Sequence, residues 1–345
     1  MQRAALITGL AGTELSAAEA RFLAAARPLG IILFARNCQT PDQIRRLVGD
    51  ALGATGGDAT LVLIDQEGGR VQRLRPPLGR ALPPAAAYAE RYRFADEEGA
   101  CEAAFAAARL VAQDLRGLGI NTNCAPVLDL PVPGAHAIIG DRAYGTSVEQ
   151  VVRLGRAVAR GFMAGGVLPV IKHIPGHGRA TKDSHLDLPV VDTPHAELSR
   201  TDFAPFAALA DIPAAMTAHV VFTALDATAP ASTSASVIGD VIRGEIGFHG
   251  LLMSDDLGMC ALTGSMRARA EAVIRAGSDV ALHCSGVLAE MEEAAAGVPT
   301  LAGAALRRAE RALEVLKNRD EFDAPAAEEL LAAVIAGHTR RSESV

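Results

Sequence analysis

The chain has 345 residues, half of them hydrophobic, enough for one large core with additions. Its 33 basic and 40 acidic side chains leave a net charge of −7 and no dense Lys/Arg run, which argues against a nucleic-acid partner. Five cysteines, with no CxxC pair, exclude a disulfide framework or zinc knuckle and fit reduced, mostly buried thiols in a cytoplasmic protein.

Arg3 and the apolar run that follows it imitate a leader only superficially. The run is short, thinly charged and leads straight into a helix start at Ser16, so residues 4–8 are the first strand. A helix over 16–27 opens on Ser16 with Glu19 three residues on, the pattern of a capping box. A strand over 30–34 comes next, then a helix with Pro41 at its first position after Thr40. Further strands are predicted over 60–64, 120–124, 168–172, 214–218, 250–254 and 279–283. Helices over 99–118, 147–164, 194–210, 236–246 and 266–276 separate the later strands. Two more, near 301–317 and 326–336, close the chain, with Pro325 at the opening of the last.

Most of the strands are continuous apolar runs, as parallel strands covered on both faces should be. Eight of them alternating with helices predict a closed (β/α)₈ barrel of the TIM type, with extra C-terminal helices. The competing doubly wound sheet lacks a GxGxxG after its first strand; Gly9-Leu10-Ala11-Gly12 is a weak echo. One barrel domain over 1–338 and a frayed polar tail over 339–345 are expected, with no apolar stretch near the ~20 residues of a membrane span.

A barrel builds its site where its strands end. Polar residues stand at six of the predicted ends: Asp65 to Arg73 after the third strand, Asn123 to Asp129 after the fourth, Lys172-His173 after the fifth, His219 after the sixth, Ser254-Asp255-Asp256 after the seventh and His283 after the eighth. The segment 172–185 holds three histidines, and its Gly176 and Gly178 suggest a mobile lid. Asp183 stands two residues before His185, and a carboxylate beside an imidazole favours its charged form and orients the ring for proton transfer. Asp255 and Asp256 point in different directions from a strand end, so one can face the pocket as a nucleophile while the other supports the rim. A metal reading of His173, His177, Asp183 and His185 is disfavoured, because their spacing matches no HExxH or HxH pattern. No metal or cofactor is expected.

Lys172-His173-Ile174-Pro175-Gly176-His177-Gly178 with Asp183-Ser184-His185 resembles the signature of bacterial β-N-acetylhexosaminidases of glycoside hydrolase family 3. Asp65-Gln66-Glu67-Gly68-Gly69-Arg70-Val71-Gln72-Arg73, Ala125-Pro126-Val127-Leu128-Asp129, Gly140-Asp141-Arg142-Ala143-Tyr144-Gly145 and Ser254-Asp255-Asp256-Leu257 resemble further motifs of that family, in order, over roughly residues 5–285. The resemblance implies that Asp255 is the nucleophile of a retaining mechanism, that His185 is the acid/base with Asp183 as its partner, and that Asp65, Arg73, Arg142, Lys172 and His173 hold an N-acetylglucosamine ring. It also implies the short, single-barrel, cell-wall-recycling branch and a small muropeptide or GlcNAc-containing disaccharide as substrate; no nucleic-acid or membrane partner is expected, and protein partners are left open. A histidine in place of the usual second carboxylate avoids placing another anion near the nucleophile. With no Trp in the chain, sugar binding must rest on charged hydrogen-bonding groups. A phosphorylase, an inactive muropeptide-binding barrel and a metal-dependent amidohydrolase are the competing readings.

Overall fold

The apolar runs form eight parallel strands that pair in sequence order and close on themselves. They are β1 (Ala4–Gly9), β2 (Pro28–Leu33), β3 (Leu61–Ile64), β4 (Thr122–Asn123), β5 (Leu168–Ile174), β6 (Ala214–Thr217), β7 (Leu251–Asp256) and β8 (Val280–His283), with β1 on β8 completing the barrel. The computed structural model describes residues 2–57, 59–94, 96–180, 188–318 and 320–342. Strand residues alternate between two buried environments, which is why the runs read as continuously apolar. Ile7, Leu63, Val170, Met216, Met253 and Leu282 pack together inside the barrel. Their neighbours Leu6, Val62, Ile171, Ala215, Leu252 and Ala281 pack outward with helix residues.

The helices are α1 (Ala17–Ala26), α2 (Pro41–Thr55), α3 (Ala85–Phe94), α4 (Glu97–Gly117), α5 (Val148–Ala164), α6 (His195–Arg200), α7 (Ala204–Ala208), α8 (Met266–Ala276), α9 (Leu288–Ala296), α10 (Gly303–Glu314) and α11 (Ala324–Ser342), with a π-type helix over Val237–Glu245. The capping box of α1 is formed: Ser16 Oγ accepts from Glu19 N at 3.1 Å and Glu19 Oε2 from Ser16 N at 3.0 Å. Leu301, Ala309, Ala312 and Val315 of the α10 region join the interior cluster, and Leu301 N donates to Arg3 O at 2.7 Å, so this segment docks beside the start of β1.

Several elements differ from the sequence reading. The single helix expected over 194–210 is two, α6 and α7. Between them the buried Asp202 turns to Arg179, 2.7 Å away, and Pro205 without an N–H fits only the first turn of a new helix. The last helix runs to Ser342, so the start of the expected frayed tail is helical; Thr339 Oγ1 donates to Ile335 O and His338 Nδ1 meets Glu90 at 3.0 Å. Helices α3 and α9 were not foreseen. Of the thiols, Cys38 and Cys124 are buried, Cys101 and Cys284 partly so, and Cys260 is exposed.

Candidate active site

Polar strand ends converge on one pocket of about 450 Å³ at the C-terminal mouth of the barrel, floored by Ile32, Met216 and Leu282. Asp65, Arg73, Arg142, Lys172, His173 and Asp255 all line it. Asp183 and His185 lie outside the described residues.

One side of the pocket is built on β3 and β5. After Ile64 the chain makes a small antiparallel hairpin, Gln66–Gly68 against Val71–Gln72. Asn123 at the end of β4 staples it: Asn123 Oδ1 accepts from Gln66 N at 2.9 Å and Asn123 Nδ2 donates to Gln66 O at 3.0 Å. Gln66 Oε1 in turn accepts from the main-chain N–H groups of Arg73 and Leu74, each at 3.0 Å. Asp65 and Glu67, two apart on extended chain, therefore share a side. The Lys172 ammonium sits between them, 2.8 Å from Asp65 Oδ1 and 2.7 Å from Glu67 Oε1. Arg73 reaches the other Asp65 oxygen at 2.9 Å, and Arg142 grips Glu67 with two bonds of 2.8 Å.

These charges are almost wholly desolvated, so each holds its partner ionised. Burial alone would raise the Asp65 and Glu67 carboxyls, but Lys172 and the arginines bring both below the usual carboxylate range. Burial likewise opposes the charges on Lys172 and Arg142, yet their carboxylate partners push both above their ordinary values. Lys172 and the two carboxylates each have two ion partners, whereas Arg142 pairs only with Glu67, so removing Glu67 leaves a buried guanidinium without its counter-ion, a loss of about 3–5 kcal/mol.

Asp129, fully buried, organises the stem of the segment after β5. Its Oδ2 is 2.6 Å from His173 Nδ1, and its Oδ1 accepts from the main-chain N–H of His173 at 3.1 Å and of His177 at 2.7 Å. Burial opposes its charge, but His173 and these donors keep the carboxyl below the ordinary range. The Lys172–His173 peptide is cis. Two glycines of the stem allow close approach of the chain: a Cβ at Gly178 would stand 2.0 Å from Leu130 O, and Gly176 adopts φ +144° beside Asp202. With Arg179 bonded to Asp202 at 2.7 Å and His136 N to Ala180 O at 2.8 Å, the stem is anchored through Ala180.

The opposite side is built on β6 to β8. Asp255 Oδ1 accepts from Asp256 N at 2.8 Å. Among the described residues no lysine or arginine lies within ion-pair distance of Asp255. Burial would raise its carboxyl, and the nearby imidazoles of His219 and His173 with the Asp256 N–H outweigh this, so it is ionised. Asp256 takes the supporting role expected of one of the two acids: its Oδ1 accepts from Gly258 N and Cys284 N, each at 3.0 Å, tying β7 to β8. Phe34 is the only Phe, Tyr or Trp lining the pocket among the described residues, and the guanidinium carbons of Arg36 and Arg73 stand 4.8 and 5.2 Å from its ring centre.

Sequence reasoning did not assign a site role to Glu67, Asp129 or His219. Glu67 was signalled by its two-residue spacing from Asp65. Asp129 and His219 were signalled only by standing after strand ends.

An ionised carboxylate with no lysine or arginine partner among the described residues thus faces a buried network of paired charges at the barrel mouth, an arrangement compatible with glycoside hydrolysis. The profile of the glycosyl hydrolase family 3 N terminal domain matches residues 7–316, and the chain belongs to that family. A β-hexosaminidase of Alkalilimnicola ehrlichii is 42% identical over 284 residues, 81% of this chain and 80% of that protein. One of Methylococcus capsulatus is 40% identical over 280 residues, 80% of this chain and 81% of that one. The crystal structure of NagZ from Neisseria gonorrhoeae in complex with N-trifluoroacetyl-D-glucosamine superposes with a TM-score of 0.85 at 30% identity, covering 97% of this chain and 98% of that one. The fold and family implied by the motifs are thus confirmed, and the chain is an enzyme, a glycosidase whose relatives over most of its length are β-hexosaminidases.

Proposed function

We propose that this glycosidase is a retaining exo-β-N-acetylglucosaminidase. It removes terminal β-linked GlcNAc from peptidoglycan fragments, GlcNAc-1,6-anhydro-MurNAc with or without its peptide, in the cytoplasm. The observation that carries the reading is Asp255: an ionised carboxylate at the pocket with one oxygen held by a main-chain N–H and, among the described residues, no lysine or arginine within ion-pair distance. Such a group is free to attack an anomeric carbon and form a covalent glycosyl-enzyme.

Asp65, Glu67, Lys172, Arg73 and Arg142 supply fixed donors and acceptors for ring hydroxyls and the acetamido group without reorganising. His173, oriented by Asp129, adds a directed imidazole. His185, in the segment following the anchored stem, donates a proton to the leaving oxygen and then takes one from water, with Asp183 setting its basicity.

The test is the stereochemistry and leaving-group dependence of the reaction. Proton NMR of the first product should show the β-anomer of N-acetylglucosamine. Asp183→Ala should slow poor leaving groups far more than activated aryl glycosides; equal losses would remove the dyad. A sugar 1-phosphate formed in phosphate buffer would reassign the enzyme as a phosphorylase.

A further inference from the structure

His219, at the end of β6, is fully buried, reaches the pocket through no opening of its own, and has no part in the mechanism described so far. Its two ring nitrogens have defined partners. Nε2 stands 3.0 Å from the main-chain carbonyl of Asp256, and Nδ1 stands 2.6 Å from Ser232 Oγ. A carbonyl only accepts, so Nε2 carries a hydrogen. Burial lowers the proton affinity of the ring, against the pull of Asp255 and Asp256 and with the help of His173, so the imidazole is neutral. Nδ1 is then the acceptor, and the Ser232 hydroxyl donates to it. Ser232 is itself fully buried in a 3₁₀ turn over Ala231–Thr233, which is docked by Ala231 N on Val220 O at 2.8 Å.

A hydrogen-bond chain therefore runs from Ser232 through His219 to the Asp256 carbonyl, and the same residue's N–H, on the other side of its Cα, holds Asp255 Oδ1 at 2.8 Å. From the β8 side, Cys284 N holds the Asp256 carboxylate. From the β6 side, His219 is the group that reaches this turn. We infer that His219, in the tautomer selected by Ser232, is a positioning residue that fixes the attack geometry of Asp255 through the Asp256 main chain. A neutral ring suits that task. It directs the carboxylate without forming an ion pair that would blunt its nucleophilicity. This inference rests on the reading of Asp255 as nucleophile.

The experiment compares native protein with His219→Ala, His219→Gln and Ser232→Ala. Labelling of Asp255 by a 5-fluoro N-acetylglucosaminyl donor is timed by intact mass, and affinity for N-acetylglucosamine is measured by calorimetry. A small misplacement of a reacting group can lower a rate by about 100-fold, and a loss of that order is expected for His219→Ala. Sugar affinity should stay within about three-fold, because ground-state binding is built on the other side of the pocket. Glutamine, whose amide N–H can reach the same carbonyl, should recover most of the labelling rate, and Ser232→Ala should fall between. Native-rate labelling of His219→Ala would overturn the inference. So would a loss of rate matched by an equal loss of sugar affinity that glutamine does not repair. Should the alanine variant fail to fold, His219→Gln and Ser232→Ala decide by the same criteria. Native protein that takes no label at Asp255 defeats the nucleophile reading itself; native label with an unslowed His219→Ala defeats only the present inference.

Discussion

The two sides of the pocket handle charge in opposite ways. On the β3–β5 side, Asp65, Glu67, Lys172, Arg73 and Arg142 form a chain of alternating charges in which every buried ion has a partner within 3 Å. On the β6–β8 side, Asp255 is ionised yet among the described residues meets only a main-chain N–H, backed by a neutral imidazole. On the proposed function, the difference separates binding from chemistry: a network whose lone pairs are spent on cations is a poor nucleophile but a rigid template for a sugar, and a carboxylate without a cation keeps its lone pairs for the anomeric carbon.

That contrast can be broken by exchanging losses between the two sides. Asp255→Asn should lower kcat by about 10⁴-fold or more while calorimetric affinity for N-acetylglucosamine persists. A parallel loss of affinity would mean that the two sides do not divide the work. Lys172→Met should do the reverse at the level of the fold. It removes the cation shared by two buried carboxylates, leaving Asp65 only Arg73 and Glu67 only Arg142, and should cost about 3 kcal/mol in urea unfolding, together with sugar binding. A change under about 1 kcal/mol would show that Asp65 and Glu67 are less desolvated than described. Arg142→Lys keeps the charge but loses the paired bonds to Glu67; about 2 kcal/mol of stability and a raised KM are expected.

The smallest effect is on pH dependence. Burial and His173 push His177 down to about 4, so in the folded chain it stays neutral where the unfolded chain takes up a proton below 6.5. The unfolded state then binds more protons, and stability falls as pH drops from 6.5 toward 4, by at most about 1.4 kcal/mol per pH unit for this group. The depressed carboxyls of Asp65, Glu67, Asp129 and Asp255 add stability that is present above the ordinary carboxylate range and lost only as pH falls through their lowered values. Asp202 and Asp256, raised chiefly by burial, act with opposite sign and lose stability as pH rises above that range. Urea midpoints between pH 6.5 and 4.5 should therefore slope, and His177→Asn should flatten them. An unchanged slope would place the titrating group elsewhere.

The barrel was legible because most strands are buried on both faces and so carry apolar runs, such as residues 168–171 and 280–282; β4, Thr122-Asn123, is the exception. Helix α9, rich in alanine and glutamate and short of large apolar residues, offered no clear stripe to read. The break between α6 and α7 combines a tertiary contact, Asp202 on Arg179, that has no local sign with Pro205, a local one that the sequence reading passed over. In the site, Asp65, Arg73, Arg142, Lys172, His173 and Asp255 were found because motifs carry them, and all reach one pocket. What motifs did not reveal is pairing. Nothing in the sequence says that Asp129 orients His173, 44 positions on, or that Gly178 exists to clear the Leu130 carbonyl. The placement of Asp183 and His185 lies outside the described residues, so their roles rest on the family motif they match.

The most direct test of the division of labour is the site of covalent capture. Native enzyme treated with a 5-fluoro N-acetylglucosaminyl donor, digested and sequenced by tandem mass spectrometry, should carry one sugar, on Asp255. A label on Asp65, Glu67 or Asp256, or turnover through an intermediate that never attaches to the protein, would contradict it.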